Sequence, residues 1–373
     1  MDILGSPSFL ITFAVLQIVV FLALVRLIDP YEHEPFSVLA LMAAWGAVGA
    51  TALSATLSGP VKEPLSDAVR TVFGAAIAAP LVEELAKGIA LVAVFVVSAW
   101  AHRRFGTSPL RGLTDGIVYG AAIGLGFAFT EDIHYLVTSR DSNQGFTEFA
   151  TRQGFLGTGM LLHAIYAAAF GACLGVAVWA RRWISRIALA FGGVVVAMSL
   201  HAINNGLVQF LFVQRYGLER VARITRRGSW SRVDPDLLST ANVVVDVVNG
   251  VVVAAFVVGI LIWLRHQRKV IRDELPAEVD AGLIDYRDWE LVPHYVRRLQ
   301  WYWTLIRVGE LERCRIARRL HVELANLALL KWWSRSASGE DQEMATTRQR
   351  IATLKAAQAV DVYAPTAASD RSS

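Results

Sequence analysis

The chain has 373 residues, 54% of them hydrophobic and only 18% charged, with a mean hydropathy of +0.43. Soluble globular chains carry about 25% charged residues, so a soluble fold, a collagen, a disulfide scaffold and a wholly disordered chain are all excluded as descriptions of the whole, and a polytopic membrane protein is expected. The 36 Lys and Arg against 32 Asp and Glu leave a net charge of +4, but the basic residues gather beside apolar stretches, which reads as topology and contact with anionic lipid, with no nucleic acid partner.

Seven stretches have roughly the 17–25 apolar residues of a spanning helix: 8–28, 36–58, 72–98, 113–138, 155–180, 185–213 and 240–264. The first has no basic run ahead of it (Met1-Asp2-Ile3-Leu4) and is expected to be a retained helix, not a cleaved signal. Arg103, Arg104 and Arg111 follow the third, Arg181, Arg182 and Arg186 the fifth, and Arg265, Arg268, Lys269 and Arg272 the seventh. These three sites share one face, which the positive-inside rule makes cytoplasmic; the protein is expected to be multi-pass in the cell membrane with its C-terminus in the cytoplasm. The stretch 214–239, with Arg215, Arg220, Arg223, Arg226, Arg227 and Arg232, falls on the other side and is expected to lie on the bilayer surface, unless one helix is misplaced. Cys173, in an apolar segment, and Cys314, in the polar region, are not expected to pair.

The expected fold is all-α: a polytopic transmembrane bundle of about seven spans over 1–264, a helical cytoplasmic region over 265–335 and a disordered tail over 336–373. In the second region Leu299, Tyr302, Leu305, Ile306, Ile316, Leu320 and Leu324 recur at helical spacing, as in a packed helical unit or an amphipathic helix lying against a membrane.

A charge at the bilayer centre costs on the order of 2.5–3.5 kcal/mol, so ionisable residues in spanning segments mark function. Segment three holds Glu83, Glu84 and Lys87, segment four Glu131, Asp132 and His134, segment five His163, and segment six His201, Asn204 and Asn205. At about 1.5 Å of rise per residue, Glu84, Glu131, His163 and His201 fall about 10–18 Å from the outer ends of their helices, in one slab. Lys87 is three and four residues from the two glutamates and neutralises one, leaving the other for proton transfer. His201 and Asn205 share a face, joining an imidazole base or ligand to an amide donor for an oxyanion. Pro80 is expected to bend segment three ahead of the pair. Two glutamates and two histidines suit water-activating hydrolysis, either by a glutamate base or through a metal held by Glu84, His163 and His201; zinc suits such ligands. The zinc-protease pattern H-E-x-x-H is absent, and Glu131-x-x-His134 lacks the second copy that a di-iron bundle needs.

At these residues the sequence resembles the PrsW family of intramembrane proteases, relatives of the CAAX-protease/Abi group. The family's E-E-x-x-K stands as Glu83-Glu84-Leu85-Ala86-Lys87, its D-G-x-x-Y-G as Asp115-Gly116-Ile117-Val118-Tyr119-Gly120, its F-x-x-x-E-N as Phe127 to Glu131-Asp132, and its H-x-x-x-N as His201-Ala202-Ile203-Asn204-Asn205; His163 with Gly171 and Gly175 fits a third helix, and Tyr31-Glu32-His33-Glu34-Pro35 is similar to the family's turn after segment one. Asp132 departs from the family's asparagine. The resemblance spans about 20–215 and implies cleavage of a membrane-anchored protein substrate, anti-sigma-factor-like by analogy, with Glu83, Glu84, His163 and His201 as catalytic or metal-binding candidates. The expectation is an intramembrane endopeptidase in which Glu84, sharing a proton with Glu83, activates water, Lys87 fixes the charge of the pair, His163 and His201 position water or a zinc ion, Asn205 steadies the oxyanion and Glu131 serves as acid or ligand. A metal-free glutamate site explains the same residues. The rival readings are a proton-coupled transporter, also built from intramembrane Glu, His and Lys, and a non-enzymatic scaffold or receptor whose tail is the working part.

Overall fold

The computed structural model describes residues 7–31, 34–62, 69, 72–105, 108–138, 158–227, 235–334 and 342–363, and among them there is no strand. Contacts divide the chain into two units, Met1–Asp29 with Glu34–Val258, and Pro30–His33 with Gly259–Ser373. The helices, in chain order, are α1 Pro7–Leu27, α2 Phe36–Ala44, α3 Thr51–Lys62, α4 Ala79–Phe105, α5 Leu113–Thr138, α6 Thr158–Val178, α7 Trp183–Tyr216, α8 Leu218–Arg227, α9 Pro235–Glu274, α10 Pro276–Asp280, α11 Tyr286–Leu291, α12 Tyr295–Arg307, α13 Leu311–Ser334 and α14 Gln342–Tyr363.

Six described stretches are long and apolar enough to cross a membrane: Ser8–Leu27, Phe36–Gly59, Leu113–Leu136, Gly159–Val178, Trp183–Tyr216 and Thr240–Asp280. The remaining expected stretch, 72–98, is not among the six and falls mostly on α4, whose first third holds Glu83, Glu84 and Lys87. The chain is a polytopic helical membrane protein. Large apolar side chains on its outside, among them Leu41, Val48, Val96 and Phe191, are exposed as lipid contact requires.

The first unit is built around α5. Of its apolar stretch 83% is buried, against 17% for α1 and for α7, so α5 is the central helix and the others surround it. Small residues make that possible. Gly116, Gly120 and Gly124, four apart, face Gly171, Ala167 and His163 of α6, also four apart. A Cβ on Gly116 would stand 1.9 Å from the Gly171 carbonyl oxygen, and one on Gly124 would stand 2.1 Å from that of His163. Lipid offers no hydrophobic drive between helices, so close backbone approach through small residues supplies the packing. The same stripe fixes the depth of His163 against α5.

Two π-helical stretches interrupt the apolar segments, Trp45–Ala50 between α2 and α3 and Gly74–Ala78 before α4. The second is the expected effect of Pro80 in another form: proline offers no N–H to the carbonyl four residues back, and the helix widens at that point. The arginine-rich stretch 214–239 contains the helix α8, turned away from α7 at Gly217, whose φ is +77°; residues 228–234 lie outside the described chain.

In the second unit, Ile271, Leu275, Leu320, Leu324, Leu327 and Ile351 form a fully buried apolar centre. The expectation of a disordered tail over 336–373 is corrected here, because 342–363 is the helix α14. Met344, Thr347 and Ile351, at helical spacing, are buried on its inner face, while its many small and polar residues face outward and hid the pattern. Ion pairs fasten it: Arg348 meets the Glu278 carboxylate at 2.9 Å, which Lys331 of α13 also reaches at 3.2 Å, and Lys355 meets Asp288 at 2.9 Å. Burial alone would raise the Glu278 carboxyl, but the hydrogen bonds from Arg348 and Lys331 outweigh it and hold the pKa below the usual carboxylate value. Asp288 behaves alike, with burial opposed by the bonds to His321 and Lys355.

Candidate active site

Each candidate side chain is placed by a helix of the first unit. Glu83, Glu84 and Lys87 occupy the first third of α4, Glu131 the last third of α5, His163 the first turns of α6, and His201 and Asn205 the middle of α7. The structure brings all seven together. Lys87 Nζ donates to Glu84 Oε1 at 2.7 Å and to His163 Nδ1 at 2.9 Å, and lies 4.0 Å from the centre of the Phe127 ring. His201 Nδ1 donates to the same Glu84 Oε1 at 2.9 Å. Asn205 Nδ2 lies 3.3 Å from His201 Nε2, and Asn204 Nδ2 donates to Asn205 Oδ1 at 3.1 Å. Glu84, Lys87 and His201 are each at most 2% exposed.

These contacts fix proton positions. An ammonium has donors only, so His163 Nδ1 must accept from Lys87, and in the neutral ring Nε2 then carries the hydrogen. That nitrogen lies 3.0 Å from Glu131 Oε2. His201 is held the other way: its Nδ1–H serves Glu84, and its Nε2 lone pair accepts from Asn205 Nδ2 at 3.3 Å.

The two glutamates differ. Glu84, expected to activate water while sharing a proton with Glu83, is the one bound by both Lys87 and His201. Glu83 Oε2 is buried and accepts no hydrogen bond; its nearest polar neighbours are His201 Nε2 at 3.9 Å and Lys87 Nζ at 4.0 Å. Glu83, His163 and His201 each offer a ligand atom within 4.8 Å of the other two. Ligand atoms of a tetrahedral zinc, with bonds of about 2.0–2.2 Å, lie about 3.3–3.6 Å apart, so a small closure of these side chains suits the ion. The unsatisfied Glu83 oxygen and the N, N, O donor set fit a metal once a His163 nitrogen is released from Lys87 or Glu131. The set expected from sequence contained Glu84 in place of Glu83.

One residue escaped the sequence reading. Tyr166, three residues beyond His163 on α6, stacks on the His201 imidazole with ring centres 5.0 Å apart and 21° between planes. It is 2% exposed, and its hydroxyl is buried without a hydrogen-bond partner. The spacing His163-x-x-Tyr166 was the available signal, since i and i+3 share a helix face. His134 stands apart, exposed beside Tyr135. Asp115 and Tyr119 lie near the opposite end of α5, about 18–24 Å along the helix from Glu131. There Asp115 Oδ2 accepts the Arg111 backbone N–H at 2.6 Å, and the Tyr119 hydroxyl donates to the Pro109 carbonyl at 2.9 Å. That motif shapes the turn into α5. Glu32 and His33 of the motif after α1 lie outside the described residues; Glu34 is buried.

An open carboxylate, two imidazoles and a lysine-neutralised partner, all enclosed by apolar spanning helices, equip a membrane hydrolase to activate water away from bulk solvent. Comparison with family models takes this one step further: the model of the PrsW family of intramembrane metalloproteases matches residues 34–221, half of the chain, and the chain belongs to that family. It is an intramembrane protease, acting on membrane-anchored substrates. The match ends at Val221, so α9 and the whole second unit lie beyond it. Neither the curated proteins nor the solved structures contain a match to the chain.

Proposed function

We propose that the protein is an endopeptidase that cuts a single-pass, membrane-anchored protein, with Glu83 as the working carboxylate. The observation that carries this reading is the Glu83 Oε2 atom, buried without a hydrogen bond and facing the unprotonated Nε2 of His201. Glu83, His163 and His201 would hold the metal. A zinc ion there would supply Lewis acidity to the scissile carbonyl and acidify bound water.

The protein's own groups do the rest. Glu84 fixes the His201 tautomer and ring direction, as carboxylates behind metal-binding histidines do, and is therefore a positioning residue. Lys87 neutralises Glu84, so that Glu83 is the carboxylate left to hold the ion or, in a metal-free site, to take a proton from water. Asn205 and the Tyr166 hydroxyl supply neutral donors beside His201, suited to the oxyanion of the tetrahedral intermediate. Glu131, against His163 Nε2, accepts or returns a proton at the leaving amine.

A metal-free glutamate reading is favoured by one observation, the engagement of both His163 nitrogens by Lys87 and Glu131. Elemental analysis of the purified protein separates the two: one zinc per chain, lost in His201→Ala, supports the metal site, and an active metal-free protein supports the other. By analogy with the family, the substrate is anti-sigma-factor-like and the cut serves regulated signalling, with the C-terminal unit in the cytoplasm as the arginine distribution suggests. Co-reconstitution with single-pass candidates tests the whole. Cleavage by wild type that Glu84→Gln slows and His201→Ala abolishes is expected; a proton flux abolished by these changes, with no cleavage, would establish a carrier instead.

A further inference from the structure

Beyond the family match, the second unit carries two stripes that the protease reading does not use. Arg265, Arg268, Lys269 and Arg272 stand at i, i+3, i+4 and i+7 of α9 and are all exposed, on one helical face directly after the apolar run that ends at Leu264. Like charges so spaced repel, and no ion pair to any of the four occurs among the described residues. With Asp273 they frame a concavity of about 500 Å³. Arg268 reaches a neutral group, His294 Nδ1, at 2.8 Å. Burial, then Arg268, Arg297 and Arg272, push the His294 pKa below its ordinary value, a sign of the positive potential there.

The second stripe is on α12, which begins after His294. Its inner face holds Leu305 and Arg298, yet its outer face is apolar. Arg298 is 3% exposed, with its guanidinium donating to the Pro30 carbonyl at 2.8 Å, whereas Val296, Leu299, Trp303 and Ile306 are 65%, 45%, 61% and 43% exposed. Their spacing of three, four and three residues makes one continuous apolar stripe. Val308 and Leu311, at the turn after α12, are exposed as well. A soluble surface rarely leaves such a stripe bare.

We propose that this surface is a monotopic membrane contact: the α12 stripe enters the bilayer interface, and the α9 cations bind the phosphates of anionic lipid headgroups. Charge chooses this occupant. Four unpaired cations complement an anionic leaflet, and Arg265 follows the last apolar residue of a spanning stretch, so the stripe starts within a turn of the headgroups. The exposed Leu261 and Ile262 just before it already present lipid-facing side chains. An indole beside aliphatic residues suits the boundary between headgroup and acyl chain.

The test uses the full chain with Cys173→Ser and Cys314→Ser, and an environment-sensitive fluorophore on Trp303→Cys. The labelled protein is reconstituted into vesicles of phosphatidylcholine alone or with phosphatidylglycerol, carrying nitroxide on the acyl chains. Quenching in the anionic vesicles is expected. It should fall at least about twofold in pure phosphatidylcholine, in high salt, or when all four α9 cations are changed to Gln. The salt arm keeps the test decisive if the quadruple variant fails to fold. No quenching in either lipid overturns the proposal, as does quenching indifferent to lipid charge. Shielding from aqueous iodide that grows with protein density, without nitroxide quenching, would assign the face to a second copy of the chain.

Discussion

The carboxylates that anchor the second unit and the open one in the first are treated in opposite ways. In the second, the Glu278 carboxylate receives Lys331 and Arg348, and Asp288 receives Lys355 and His321. These groups fasten helices. In the first, Glu84 is as fully engaged, yet the neighbouring Glu83 oxygen and the Tyr166 hydroxyl are buried with no hydrogen bond at all. A buried polar atom left unsatisfied costs about 1–3 kcal/mol, a cost that Glu278 and Asp288 avoid and a reactive centre accepts. Other buried atoms are unsatisfied too, Arg298 Nε and Glu323 Oε2 of the second unit among them, so it is the convergence of Glu83 with His163 and His201 that marks chemistry.

That contrast breaks or sharpens under substitution. The largest effect is expected at His201→Ala, which should lower the cleavage rate by about 10²–10⁴-fold while the protein still elutes as wild type, since a positioned base or ligand contributes on that scale; near-normal cleavage would place the chemistry elsewhere. Lys87→Met comes next. Removing one partner of a buried ion pair costs about 3–5 kcal/mol, so thermal unfolding in detergent should fall sharply, with Glu84→Gln in the same chain restoring part of the loss. Gly124→Val follows, because its new side chain meets the His163 backbone; overpacking costs about 1–3 kcal/mol, and cleavage should fall as His163 is displaced.

The smallest effect lies in the second unit. The Glu278 carboxyl is held below its ordinary value of 4.5, so its contribution is present above that pH and is lost as pH falls through the lowered value. Its partners are partly exposed, so the pair contributes about 1 kcal/mol. Hydrogen exchange of α14 should therefore be faster in Glu278→Gln than in wild type at neutral pH, and the two should converge in acid. A difference that persists in acid would assign the effect to packing.

Much of this was legible in the residues. Charges that cannot face lipid must face one another, and Glu83, Glu84, Lys87, Glu131, His163, His201 and Asn205 do meet. Spacing could not say which glutamate stays open, because adjacent residues differ by about 100° around the helix and only the rotation of α4 against α7 decides. Tyr166 was overlooked because an apolar-looking aromatic in a spanning segment reads as packing. The tail misled for a related reason: the inner face of α14 rests on Met344, Thr347 and Ile351 among small polar residues, too sparse a pattern to show without its partner helix. On α12 the periodicity was visible, but which face is exposed depends on Arg298 being drawn inward by the Pro30 carbonyl, a contact 268 residues distant in sequence.

The central claim is that Glu83 is the reacting carboxylate of an intramembrane protease. Its most direct test reconstitutes purified wild type and Glu83→Gln with a single-pass reporter and maps the products by mass spectrometry. The account predicts a cut within or beside the reporter's hydrophobic segment by wild type and none above background by Glu83→Gln. The same product at the same rate from both proteins would contradict it.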